Sequence, residues 1–187
     1  MKNTYLNPIL KEAAELPSKL QEVFGSLTAE QLNWKPNPAT WSIGECIDHL
    51  INTNRSYFAQ LEAISRGDKY ESFWEKLPLF HKFWGKTLLN ATSDVEVKKG
   101  KSPGPFKPVR STVATSILDE FALHQKQLIS KVESTDKVDH HKTMITSPAA
   151  AFITYSLHDA LLIIFQHERR HFNQAKSLMA MTGFPKS

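Results

Sequence analysis

A chain of 187 residues, 41% hydrophobic and 22% charged, has the length of one domain and enough apolar content for one core, so a single domain over residues 1–187 is expected. Its net charge of +4 comes with no lysine or arginine stripe, since the densest run, VKKGK at 97–101, sits beside the proline-rich SPGPFKP and reads as a solvated loop; nucleic acid is not an expected partner. No run reaches the roughly 18–20 apolar residues of a membrane span, and the N-terminal segment carries acidic residues where a signal would be apolar, so a cytoplasmic protein without a membrane partner is expected.

Apolar residues recur at three- and four-residue spacing over most of the chain, which predicts an all-α fold with four long helices. The first runs from about Asn7 to Phe24, with Pro17 kinking or dividing it and Gly25 closing it. Thr28-Ala-Glu-Gln31 has the form of a capping box and predicts a short turn of helix. Ser42 with Glu45 is a second capping box, preceded by Trp41 as a staple residue. It opens a helix to about Arg66 whose buried stripe is Ile43, Ile47, Leu50, Asn54, Tyr57 and Leu61. Asn54 is the polar exception in that stripe. Residues 67–110 form a long connection with an aromatic cluster (Phe73, Trp74, Phe80, Phe83, Trp84) and a short helix over Phe80–Leu89. The aromatics read as cover for the core more than as a substrate wall. The third helix spans about Thr112–Glu133, the stretch KTMITSPAAAFITYS is read as extended and broken by Pro148, and the fourth helix starts at Ser156 and ends near Gly183. The pattern as a whole is a four-helix up-and-down bundle with a long connection between helices two and three.

One cysteine among 187 residues excludes a Cys-rich metal site and turns attention to the eight histidines. His167-Glu-Arg-Arg-His171 matches H-E-x-x-H, which on a helix puts two imidazoles one turn apart within reach of one ion. A zincin-type protease needs a further ligand after the motif, and FNQAKSLMAMTGFPKS contains no His, Asp, Glu or Cys, so that class is excluded. A di-iron bundle needs a second E-x-x-H, and the chain has only E-x-x-x-H at Glu120 and His124. A third ligand then comes from His49, His124, Cys46 or a carboxylate. His158, in the first turn of the same helix, lies too far along the axis. Periodicity does not choose among these, and it places His49 on the flank of its stripe.

Two segments carry a resemblance. T-W-S-I-G-E-C-I-D-H-L at 40–50 and H-E-R-R-H-F-N-Q-A at 167–175, with Pro108-Val-Arg-Ser111 between them, resemble the signature segments of the DinB-like (DinB/YfiT-like) superfamily of metalloenzymes. The resemblance implies one divalent ion on His49, His167 and His171 with a coordination position left open, and an often dimeric bundle. It also implies that thiol-cofactor-dependent transferases and hydrolases are among the relatives. Three protein ligands with an open position suit catalysis better than a structural site. Zinc is the default ion, with nickel, iron or copper also suited to imidazole.

The expected function is therefore a metal-dependent hydrolase or thiol S-transferase acting on a small-molecule substrate or a low-molecular-weight thiol, as a possible homodimer. The other reading is a non-catalytic metal- or ligand-binding bundle. Glu168 is a candidate base but is expected more as a partner that orients a ligand imidazole, because a carboxylate on that stripe needs a partner to be buried. Cys46 is expected to be a small core residue. Asp48 and Asn52 read as a solvated face, His140 and His141 as exposed loop residues pointing opposite ways, and His124 as a core residue or a fourth group near the ion.

Overall fold

A computed structural model of the protein describes residues 2–92 and 108–186. Its elements in chain order are α1 (Leu6–Phe24), α2 (Ala29–Asn33), α3 (Ile43–Arg55), α4 (Phe58–Arg66), a 3-10 turn (Trp74–Lys76), α5 (Pro78–Thr92), α6 (Ile117–Ser134), strands β1 (Met144–Thr146) and β2 (Thr154–Ser156), and α7 (Leu157–Leu178). The protein is mostly helical, with one small two-stranded sheet. VKKGK at 97–101 lies outside the described residues.

Both expected capping boxes form. Thr28 Oγ1 accepts from Gln31 N while Gln31 Oε1 accepts from Thr28 N, and Ser42 and Glu45 make the same reciprocal pair at 3.0 and 2.8 Å. At the start of α7, Ser156 Oγ accepts from Asp159 N at 3.0 Å. Pro17 sits inside a continuous α1 and does not divide it. The predicted second helix is instead divided at Ser56–Tyr57. There the backbone stays near helical, but Tyr57 N turns to Asn54 O and the Ser56 hydroxyl takes the Thr53 carbonyl, a local competition that serines make inside helices. Gly67, at φ +78°, closes α4 in the left-handed conformation that glycine tolerates. Helix three begins at Ile117, later than expected, and the helix within the long connection is longer than expected, at Pro78–Thr92. The stretch is extended on both sides of Pro148, at β1 and β2, and turns between them; the strands are antiparallel with Ile145 opposite Tyr155.

Two clusters of buried side chains fix how the helices run. One gathers Leu6 and Leu10 from the start of α1, Leu61 and Ile64 from α4, Leu128 and Val132 from the end of α6, and Leu157 and Leu161 from the start of α7. The other gathers Leu20 and Phe24, Ile43 and Ile47, Ile117 and Phe121, and Ala175 and Leu178. The segment α3–α4 and helix α6 thus run in the same direction, with α1 and α7 opposite to both, so direction does not alternate strictly along the chain. Gly44 permits the closest approach at the start of α3: a Cβ there would lie 2.2 Å from Val113 Cγ2 and 3.3 Å from Leu32 O. No helix among the described residues is long and apolar enough to cross a membrane.

Candidate metal centre

Helix α3 contacts both α6 and α7, and every residue from Ser42 to Ile51 is buried. His49 therefore points into the interior even though it lies on the flank of the apolar stripe, and only 2% of its surface is exposed. His167 and His171, one turn apart on α7, meet it. His49 Nε2 is 3.0 Å from His167 Nε2, the three ring centroids are 4.4–4.8 Å apart, and one ligand atom from each residue lies within 4.8 Å of the others. His49 Nδ1 faces Thr53 Oγ1, one turn on, at 3.3 Å. The indole of Trp41 closes one side of the cluster, 4.7 Å from the His49 ring and stacked at 25° on that of His171.

Burial holds the two imidazoles of α7 neutral. It is the main reason that the His171 pKa falls to about 3, with the neighbouring His49 next and Arg170 after it; His167 is likewise held well below the ordinary value, by burial first and then by His171 and His49. A neutral imidazole presents a lone pair, and three imidazoles converging without a thiolate form a donor set that a divalent ion of borderline softness accepts. The cluster is thus compatible with a metal ion.

The other residues singled out from the sequence lie elsewhere. Glu168, 1% exposed, turns away from the cluster. Its Oε1 accepts from Asn54 Nδ2 at 2.7 Å and its Oε2 from Gln125 Nε2 at 3.0 Å, so its hydrogen bonds go to two amides and none to an imidazole. Burial raises its pKa to about 8 against the opposing pull of Gln125 and Asn54. Cys46 packs in the core, where burial and Glu45 push its thiol far up. His124 stacks on Phe58 at 5.3 Å and stands apart from the cluster, and His158 stacks on the exposed His141 at the other end of α7. His140 is not an exposed loop residue: it is fully buried, bonded to Tyr5 Oη at 2.8 Å and to Thr135. Nor is Asp48 solvated. At 1% exposure its carboxylate accepts from Val109 N, Arg110 N and Arg110 Nε at 2.7–3.1 Å, pinning the exit of the long connection to the turn that carries His49. In the long connection Phe73 is exposed and Trp84 packs against the core.

The sequence reading missed Trp41, Thr53 and Gln125. Thr53 carried a signal, its four-residue spacing from His49. Trp41 carried one only as a neighbour of the capping box.

These elements define a mostly helical protein with a three-histidine cluster between two helices. The chain belongs to the DinB superfamily, whose sequence pattern it matches over residues 12–175. It is similar to the uncharacterized protein YuaE of Bacillus subtilis (strain 168), at 24% identity over 153 residues that cover 81% of this chain and 85% of that protein. No solved structure matches it.

Proposed function

We propose that this protein is a metal-dependent enzyme built on a four-helix bundle of α1, α3–α4, α6 and α7, with His49, His167 and His171 holding one divalent ion and a position left for a small substrate or a low-molecular-weight thiol. The observation that carries this reading is the convergence of three imidazoles from two helices on one point, with no cysteine among them. A bound ion would supply Lewis acidity, which makes a water or a thiol nucleophilic near neutral pH. The chain's own residues do the rest. Thr53 Oγ1 at His49 Nδ1 fixes which ring nitrogen of His49 faces the cluster. Trp41 walls one side and excludes water there, while the part-exposed edge of His167 leaves an approach. Glu168, bonded to Asn54 and Gln125, is a structural group of the interior in this reading and not the base.

Hydrolysis and thiol transfer share this first step, and zinc is the default ion. The test is metal analysis of untagged protein prepared without a nickel column, followed by a panel of thiol cofactors and ester or amide substrates. One divalent ion per chain is expected, lost in His49→Ala while far-UV circular dichroism stays helical, because the core and not the ion carries the fold. Metal content unchanged by His49→Ala would overturn the reading.

A further inference from the structure

Trp41 stands just outside α3, where the chain has little freedom. Ser42 N donates to Glu45 Oε2 at 2.8 Å, and Lys35 Nζ holds the other oxygen of that carboxylate at 2.9 Å, so the capping box and its lysine set the direction from which Trp41 enters the fold. The half-buried indole packs against the core cluster that contains Ile43 and Ile47, and it spans from α3 to a histidine of α7.

Rotation of an imidazole about its Cβ–Cγ bond is a broad, roughly two-fold torsion, so the surroundings of the ring have to set its plane. At His49, Thr53 Oγ1 lies at Nδ1, and the Trp41 ring lies 4.7 Å away at a tilt of 52°. At His171, Gln174 reaches the ring by a side-chain hydrogen bond, Nδ1 is buried without a partner among the described residues, and Trp41 stacks at 5.6 Å and 25°. Thr53 and Gln174 each touch one ring, from that ring's own helix. Trp41 meets both rings, one on each helix. Apolar cover alone would be served by any bulky side chain, whereas two ring planes held at once call for a flat one.

We infer that Trp41 is a positioning residue of the metal centre, whose indole fixes the planes of His49 and His171 relative to each other so that two of the three ligands meet a divalent ion already oriented. The inference rests on the reading that the three histidines hold an ion. An ion that finds its ligands oriented binds without first ordering them, and this is how partners outside the ligand set raise metal affinity.

Zinc affinity, measured by competition with a chromophoric chelator on full-length parent, Trp41→Phe and Trp41→Leu, tests it; melts of the metal-free proteins register what each substitution costs the packing. Phenylalanine keeps a flat face, and leucine keeps apolar cover without one. Trp41→Leu is expected to weaken zinc about 10–100-fold, the range seen when outer partners of ligand histidines are removed, and Trp41→Phe to stay within about 3-fold of the parent. The visible bands of cobalt(II) bound in place of zinc should coincide in the parent and Trp41→Phe and shift in Trp41→Leu, because the ligand field follows the ring planes. Trp41→Met, an adaptable apolar residue, makes the same contrast should Trp41→Leu not fold. Melts that fall in both variants while affinity and bands stay at the parent's values would mean apolar cover only and would overturn the inference, as would a Trp41→Phe as weak as Trp41→Leu. Parent protein without stoichiometric zinc would overturn the metal reading and this inference with it, whereas zinc held by the parent and indifferent to Trp41→Leu would overturn this inference alone.

Discussion

Replacing Glu168 by glutamine tests whether this carboxyl is a buried member of the interior. Its two oxygens face the amides of Asn54 and Gln125, and no cation among the described residues joins them. The unfolded chain ionises this group near 4.5 and the folded chain near 8. A raised folded pKa gives stability that is fully present below about 4.5 and is lost as pH rises toward 8, at about 1.4 kcal/mol per pH unit in that window. Glutamine does not titrate. The oxygens Asn54 Oδ1 and Gln125 Oε1 have no partner among the described residues, so turning either amide over gives the new side chain an acceptor, and the substitution fits without a new cavity. The stability of Glu168→Gln relative to the parent should therefore rise by about 3 kcal/mol between pH 5 and pH 7. Urea unfolding of both proteins at pH 5, 6, 7 and 8, with chelator present throughout, measures it. Contributions from the histidines cancel in the difference. A difference that stays flat across the series would refute the buried-acid account and return Glu168 to consideration as a base acting in the metal centre.

Three further outcomes are expected. Asp48→Asn should lower stability by roughly 2 kcal/mol, less than the about 3–5 kcal/mol of a fully enclosed pair because the Arg110 side chain keeps 39% exposure; thermal melts should show a drop of about 4–8 °C. Gly44→Ala should destabilise by about 1–3 kcal/mol despite alanine's better helix propensity, since the new methyl meets the stiff Val113 side chain at 2.2 Å, and a melt at or above the parent's would contradict the packing described. Metal-stripped protein should lose stability as pH falls below about 6.5 toward 3, because a depressed histidine pKa gives stability present above the unfolded value and lost below it; His171→Gln should flatten that acid limb in denaturant titrations.

Much of this architecture was legible in the residues themselves. The two capping boxes and the Ser156 cap announced three helix starts, because reciprocal side-chain bonds leave a fixed spacing in the sequence. The two polar exceptions to apolar stripes, Asn54 and Glu168, turn out to be partners at 2.7 Å. Other features left no local trace. The break at Ser56–Tyr57 involves no glycine or proline, and the burial of Asp48 depends on backbone donors 61 and 62 residues away. His49 was misplaced by periodicity because a stripe analysis assumes one buried face, whereas α3 packs against α6 and α7 at once and buries its flanks as well. The likeness to DinB-like proteins, and not the pattern, pointed to that histidine.

The three-histidine cluster joins two residues close on one helix to a third that is 118 positions away along the chain. His167 and His171 can come together in any transient turn of α7, but His49 reaches them only after the intervening chain has closed, at an entropic cost that grows with the logarithm of its length. An ion held by all three would therefore recognise the closed chain alone. Such an ion would act late, as a latch rather than a nucleus, and each tenfold rise in free ion above its dissociation constant would deepen the native basin by about 1.4 kcal/mol without hastening the search that leads there.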